Sequence, residues 1–294
     1  MQSSRFLSVM AFASLVSLLS PVSAKESKAR TAEPRAYVET SHLIAPRNVG
    51  VFVLESSRYD DDAKYSGAGF RYVADGHPET RIDVYVYPAG RMSPTIALAQ
   101  GMDAFRADLA SAVEARRYAK LVMGDEQEIS LDDTTQLDRG RGESADEDEL
   151  LAIISSAGRQ EGRKLRMTFN LLPQDWPMHS SGYLFYKQLY YFKVRTSAAQ
   201  ANISAEEFEA LSDRAANALV RAIDVFNIGH CANAVITLST DASPQEGAKS
   251  FVMQTTEHRG YNCHASADGI DLATRIADAE MVKISYEPLE WKSE

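Results

Sequence analysis

Apolar positions recur at every second residue over several stretches of this chain and at every third to fourth over two others, a mixture that predicts strands and amphipathic helices together. The clearest period of two runs from Lys164 to Leu172. There Leu165, Met167, Phe169 and Leu171 face one way, and Lys164, Arg166, Thr168 and Asn170 face the other. Tyr183 to Arg195 is predicted as one long aromatic strand, reached through a loop from Pro173 to Gly182. One of its faces carries Leu184, Tyr186, Tyr190, Phe192 and Val194; the other carries Tyr183, Phe185, Lys187, Leu189, Tyr191, Lys193 and Arg195. Earlier in the chain, Val49 to Leu54 predicts a strand buried on both sides or at a sheet centre. Gly69 to Val73 and Arg81 to Tyr87 form a hairpin through Asp75-Gly76 and Pro78. Leu121 to Leu131 is a further strand, followed by an acidic loop from Asp132 to Glu149 and an apolar stretch from Leu151 to Ile154.

Two helices carry start signals. Ser93-Pro94 places a capping hydroxyl before a proline at the first helical position, and Leu98, Met102, Phe105, Leu109 and Val113 form a stripe behind it. Ser204 and Glu207 form a capping box, with Ile203 and Phe208 as a hydrophobic staple. The predicted buried face of this helix runs from Phe208 through Leu211, Ala215, Leu219 and Ala222 to Phe226, with Gly229 as its stop. Beyond it, Ala234 to Leu238, Tyr261 to Ala265 and Met281 to Tyr286 are predicted strands, and Ser243-Pro244 with Glu246 opens a helix ending near Gly260.

The fold class expected from these elements is α+β: a mostly antiparallel sheet with two amphipathic helices packed on it, plus a small C-terminal β-α-β segment with a disulfide. The hairpin Gly69 to Tyr87, the helix from Pro94, the strands around Arg163 to Leu172 and Tyr183 to Arg195, and the capped helix from Ser204 follow one another in an order that resembles the PsbP-like sandwich, a sheet flanked by helices. The resemblance spans roughly 180 residues and implies a fold; it transfers no activity and no site residue.

Met1 to Ala24 has the form of a secretory signal, with Arg5, an apolar stretch from Phe6 to Leu19, and small residues Val22 and Ala24 before an expected cleavage ahead of Lys25. Cleavage there leaves 270 of the 294 residues and a periplasmic or secreted protein. The organisation expected is thus 1–24 signal peptide, 25–46 poorly ordered leader, 47–230 sandwich domain and 231–294 disulfide-stapled appendix. In an oxidising compartment Cys231 and Cys263 are expected to pair. A Cys2His2 site from His230-Cys231 and Cys263-His264 is disfavoured, because neighbours on a strand point to opposite faces.

The 31 Lys plus Arg against 41 Asp plus Glu, a formal charge of −10, argue against nucleic acid and anionic membrane as partners. Two cysteines exclude four-thiolate metal sites. No nucleophile elbow, zinc-protease, P-loop or C-x-x-C motif occurs, no metal site or cofactor is expected, and no catalytic residue is assigned. Gly67-x-Gly69 lacks the third glycine of a dinucleotide loop, and His179-Ser180-Ser181 reads as polar loop. Asp60-Asp61-Asp62 and Asp146 to Glu149 read as solvated surface. The function expected is a non-enzymatic, exported binding or envelope-associated module. Its site is an aromatic and basic sheet face of Tyr85, Tyr87, Tyr183, Tyr191, Lys193 and Arg195, its partner a protein or envelope polymer. Two rival classes stand beside it: an envelope-polymer hydrolase with dispersed carboxylates such as Asp83, Asp175 or Glu161, and an inhibitor whose acidic loop steers it to a basic enzyme.

Overall fold

A computed structural model describes residues 36–131 and 160–291, all within one contact unit, Pro34–Glu294. The expected signal peptide, the acidic loop 132–149 and the stretch Leu151 to Ile154 lie outside the described residues. In chain order the strands are β1 Thr40–Pro46, β2 Asn48–Val49, β3 Phe52–Arg58, β4 Ala68–Ala74, β5 His77–Pro88, β6 Tyr118–Leu131, β7 Gln160–Leu171, β8 Trp176–Lys187, β9 Tyr190–Ala199, β10 Asp224–Ile228, β11 Cys263–His264 and β12 Ala279–Ser285. The helices are α1 Pro94–Glu114, α2 Ala205–Ala222, α3 Pro244–Gly260 and α4 Leu272–Arg275. The α+β class is as expected.

Eight strands form an antiparallel sheet in the order β2-β3-β4-β5-β9-β8-β7-β6. Two meanders, β2 to β5 and β6 to β9, meet where β5 pairs with β9 from Arg81↔Ser197 to Pro88↔Tyr190. Four strands form a second sheet, β11-β10-β1-β12, antiparallel except for β10 with β11. Helix α1 covers one face of the larger sheet: Leu98, Met102, Phe105 and Leu109 pack with Leu165, Met167, Leu184 and Tyr191. The opposite face carries the main core, in which Phe70, Tyr72, Val84, Phe185 and Phe192 meet Phe208, Leu211 and Leu219 of α2 and Leu43, Val225 and Ile284 of the smaller sheet.

Both long helices start where the sequence predicts. Ser93 Oγ accepts a hydrogen bond from the Ile96 N–H, and Ser204 Oγ accepts one from the Glu207 N–H. The end of α2 differs from expectation: it stops at Ala222, and Phe226 belongs to β10. From Asp224 onward the backbone groups pair with β1, from Thr40↔Ile228 to Ile44↔Asp224, which replaces continued helix hydrogen bonding.

Other expectations fail for tertiary reasons. Tyr183 to Arg195 is two strands joined by a two-residue turn, in which Gln188 (φ 56°) and Leu189 (φ 68°) are left-handed. Neither is a residue that signals such a turn. Gln188 is held by its side chain: its Nε2 donates to Asp224 Oδ1 at 2.9 Å, its Oε1 accepts from the Val225 N–H at 2.6 Å, and Leu189 is fully buried. The loop expected from Pro173 contracts, so β8 begins at Trp176 and includes His179-Ser180-Ser181. Val49 to Leu54 is broken by Gly50 (φ 60°) into an edge hairpin, leaving Val51 and Val53 exposed. Ala234 to Leu238 forms no strand, and Val235 is 84% exposed. Thr40–Pro46, expected in the poorly ordered leader, is β1, with Leu43 and Ala45 wholly buried. Its partners lie some 180 residues on or more, and include β12 from the segment expected as an appendix.

Cys231 and Cys263 are at disulfide distance, Sγ–Sγ 2.10 Å, 32 residues apart. The closed loop carries α3, which has no buried residue, so the crosslink supplies what packing does not. Replacing both cysteines with serine is expected to lower stability by about 3 kcal/mol, measured by denaturant unfolding under oxidising conditions. Gly182 lies directly beneath the Phe105 ring, where a Cβ would overlap it. Gly182→Ala is therefore expected to cost about 2 kcal/mol by overpacking, read as a lowered midpoint with unchanged denaturant slope.

Candidate functional site

The β5–β9 register sets which of the expected binding residues meet. Asp83 pairs with Arg195, Tyr85 with Lys193 and Tyr87 with Tyr191. Tyr85, Tyr87, Tyr191, Lys193 and Arg195 therefore share one face, the face on which α1 lies. Tyr183 is on the other. A two-residue turn pairs Lys187 with Tyr190 and Tyr183 with Val194, so residues of opposite parity share a face across the hairpin, and the single-strand assignment fails for Tyr183. Tyr183 is 1% exposed, and its hydroxyl donates to Asp213 Oδ1 at 2.6 Å. Burial and the Asp213 carboxylate push its pKa upward.

Part of the α1-side face is interior. Tyr191 is 8% exposed and donates to the Ala97 carbonyl at 2.9 Å, which anchors α1. Lys193 Nζ lies 3.0 Å from Asp108 Oδ2 on α1, and 5.7 Å and 5.8 Å from the Tyr85 and Tyr87 ring centroids. Beside it, buried Asp83 accepts from Arg71 Nε at 2.8 Å and Arg81 Nε at 2.5 Å. The Arg71 and Arg81 side chains remain 38% and 58% exposed. Burial raises the pKa of both Tyr85 and Tyr87, keeping the phenols neutral.

Arg195 completes this patch. Its guanidinium carbon stands 5.3 Å from the Tyr118 ring centroid and 5.8 Å from that of Phe169. Its Nε and Nη2 are buried and have no hydrogen-bond partner among the described residues. These two nitrogens form the edge with which a guanidinium grips a carboxylate through two parallel hydrogen bonds.

The other sequence candidates do not converge. Glu161 and Asp175 lie at opposite ends of the β7–β8 hairpin, and Asp83 is on β5. Asp175 is held in the turn by Asn170 and Lys120, and the Asn170 hydrogen bond, ahead of Lys120, lowers its pKa. Asp60 accepts from the Asp62 N–H and opens a 3-10 turn, Asp61–Ser66. The sulfur–sulfur pairing removes the thiolates a Cys2His2 site needs.

A second polar cluster on the α2 side escapes a reading of the sequence. Lys164, predicted to face outward, has a 3% exposed side chain. Its Nζ donates to Asp213 Oδ1 at 2.5 Å and Glu209 Oε1 at 3.2 Å, and Arg166 pairs with Glu209. The available signal was an acid pair four residues apart on α2 opposite two cations two apart on a strand. Lys164→Met is expected to destabilise the fold by about 2 kcal/mol through the hydrogen bonds lost to Asp213 and Glu209, with Glu209→Gln costing less; thermal unfolding of the two variants checks this.

No family model and no curated protein matches the chain. No helix among the described residues is long and apolar enough to cross a membrane. Among solved structures, the chain is similar to the solution structure of the cyanobacterial PsbP protein CyanoP from Synechocystis sp. PCC 6803, at 9% identity and a TM-score of 0.36, over 60% of this chain and 83% of that one.

Proposed function

We propose that this is an exported, non-catalytic binding module whose α1-side sheet face captures a partner bearing carboxylates, either a protein or an envelope polymer. The observation that carries this reading is the unpartnered Nε–Nη2 edge of Arg195, set among Arg71, Arg81, Tyr85 and Tyr87. Leaving charged donors buried without an acceptor is costly, and a ligand carboxylate removes that cost. The exposed Arg81 and Arg71 side chains supply attraction at the rim, and the neutral Tyr85 and Tyr87 rings supply amphipathic contact area. The local charge is positive although the whole chain is acidic, so the patch discriminates by position rather than by net charge. The signal-like segment Met1 to Ala24 and the disulfide support export.

Polyglutamate and uncharged dextran serve as probes. The wild-type protein is expected to bind polyglutamate with salt-sensitive affinity and to ignore dextran. Arg195→Ala should weaken binding at least tenfold, a loss on the order of 1.4 kcal/mol or more, while Arg195→Lys restores charge without the bidentate edge and recovers it only partly. Equal binding by wild type and Arg195→Ala, each with a folded circular-dichroism spectrum, would remove the site from this face. Intact-mass analysis of the exported protein should find Lys25 at its N-terminus.

A further inference from the structure

Helix α2 and strands β6, β7 and β8 line an open cavity of about 290 Å³, on the sheet face opposite the Arg195 patch. Its floor is set by register. Thr168 on β7 pairs with His179 on β8, and Arg166 pairs with Ser181, so four polar side chains make a two-by-two block on one face. Phe208 and Glu209 of α2 form the wall. The His179 ring stacks on Phe208, with centroids 5.5 Å apart and planes 26° apart, which fixes the imidazole's orientation. Among the described residues, the side chains of His179 and Thr168 make no hydrogen bond. Their donors and acceptors therefore face the cavity unspent.

From this geometry we infer that the cavity is a binding site for a neutral, hydroxyl-rich ring, a single sugar unit, held by Thr168, Ser181, His179 and the Arg166–Glu209 ion pair. Three features select the class. The charges beside the site cancel, two cations against two acids, because Arg166 pairs with Glu209 and Lys164 with both Glu209 and Asp213, which leaves neither cation unpaired for an anionic ligand. Burial lowers the His179 pKa, so the ring is a neutral donor and acceptor at pH 7. Hydroxyls, a neutral imidazole and an ion pair within one small cavity give the alternating donors and acceptors that vicinal hydroxyls match. A metal ion is a poor fit, since no group of three His, Cys, Asp or Glu side chains occurs among the described residues. The volume, about 290 Å³, falls just below the range of about 300–1,000 Å³ for small-molecule sites, which suits one ring. This site is separate from the carboxylate-binding face proposed above, and each stands without the other.

Chemical-shift mapping on the full exported chain tests the inference, with glucose and N-acetylglucosamine as neutral probes and glucuronate as the anionic one. The neutral sugars should shift the Thr168, His179 and Ser181 resonances with a dissociation constant on the order of 1–10 mM, as befits a small, solvent-open site. Thr168→Val should weaken this at least tenfold while keeping the wild-type melting temperature, since the Thr168 hydroxyl makes no hydrogen bond among the described residues. Lack of any shift at these residues up to about 50 mM of either neutral sugar overturns the inference. So does a response to glucuronate alone, or an unchanged affinity in Thr168→Val. Because the mapping is read on the wild-type chain, a variant that fails to fold leaves the first two criteria intact.

Discussion

Strand β5 pairs with β9 from Arg81↔Ser197 to Pro88↔Tyr190, and this ladder joins the two halves of the larger sheet. Each meander is assembled from near neighbours in sequence, but the two become one sheet only through this ladder, which joins residues more than 100 positions apart. The pairing places Ile82, Val84 and Val86 beside Phe192 and Val194 on one face, all with no exposed surface. Strands at the middle of such a sheet must be covered on both sides, since uncovered apolar surface costs roughly 25 cal/mol per Å². Helix α1 covers one side; α2 and the smaller sheet divide the other between them.

The smaller sheet is held to the larger by polar contacts as well as apolar ones. Gln188, in the β8–β9 turn, bonds Asp224 and Val225 of β10, and its carbonyl accepts from Asn227. The Tyr190 and Tyr286 hydroxyls lie 2.8 Å apart, with Trp291 against both rings. The Gln188 and Tyr190–Tyr286 hydrogen bonds cross the junction, which fixes the orientation of one sheet on the other in a way apolar packing alone does not. The turn that splits the aromatic stretch into β8 and β9 therefore also docks the second sheet.

That turn decides where polar chemistry falls on the two faces. It assigns Lys193 and Arg195 to the α1 side with Tyr85 and Tyr87, and it assigns Tyr183, Ser181 and His179 to the α2 side. On the first side the Arg71 and Arg81 side chains stay exposed and the Nε–Nη2 edge of Arg195 has no partner among the described residues, while Lys193 is paired with Asp108. On the second side Arg166 and Lys164 are paired with acids of α2, beside a cavity lined by the Thr168 hydroxyl and the His179 imidazole.

Elements whose signals are local are legible in the sequence. The caps at Ser93, Ser204 and Ser243, the alternation of β7, the stripe of α1 and the α+β class all follow from steric and hydrogen-bonding preferences within a few residues. The sequence also singled out the two cysteines and six candidate binding residues, five of which share the α1-side face. Long-range contacts fix where β1 belongs, where α2 stops, and how the aromatic stretch folds back at Gln188-Leu189. β1 has a short apolar run, Leu43 to Ala45, without alternation and gains order from strands far along the chain, and Gln188-Leu189 adopts left-handed backbone only because distant groups hold it there. The parity of a side chain across a hairpin depends on turn length, so a turn that its residues do not announce conceals which face Tyr183 occupies. For the same reason Lys164, placed outward by alternation alone, lies buried: the acids that meet it come from a helix some 45 residues away.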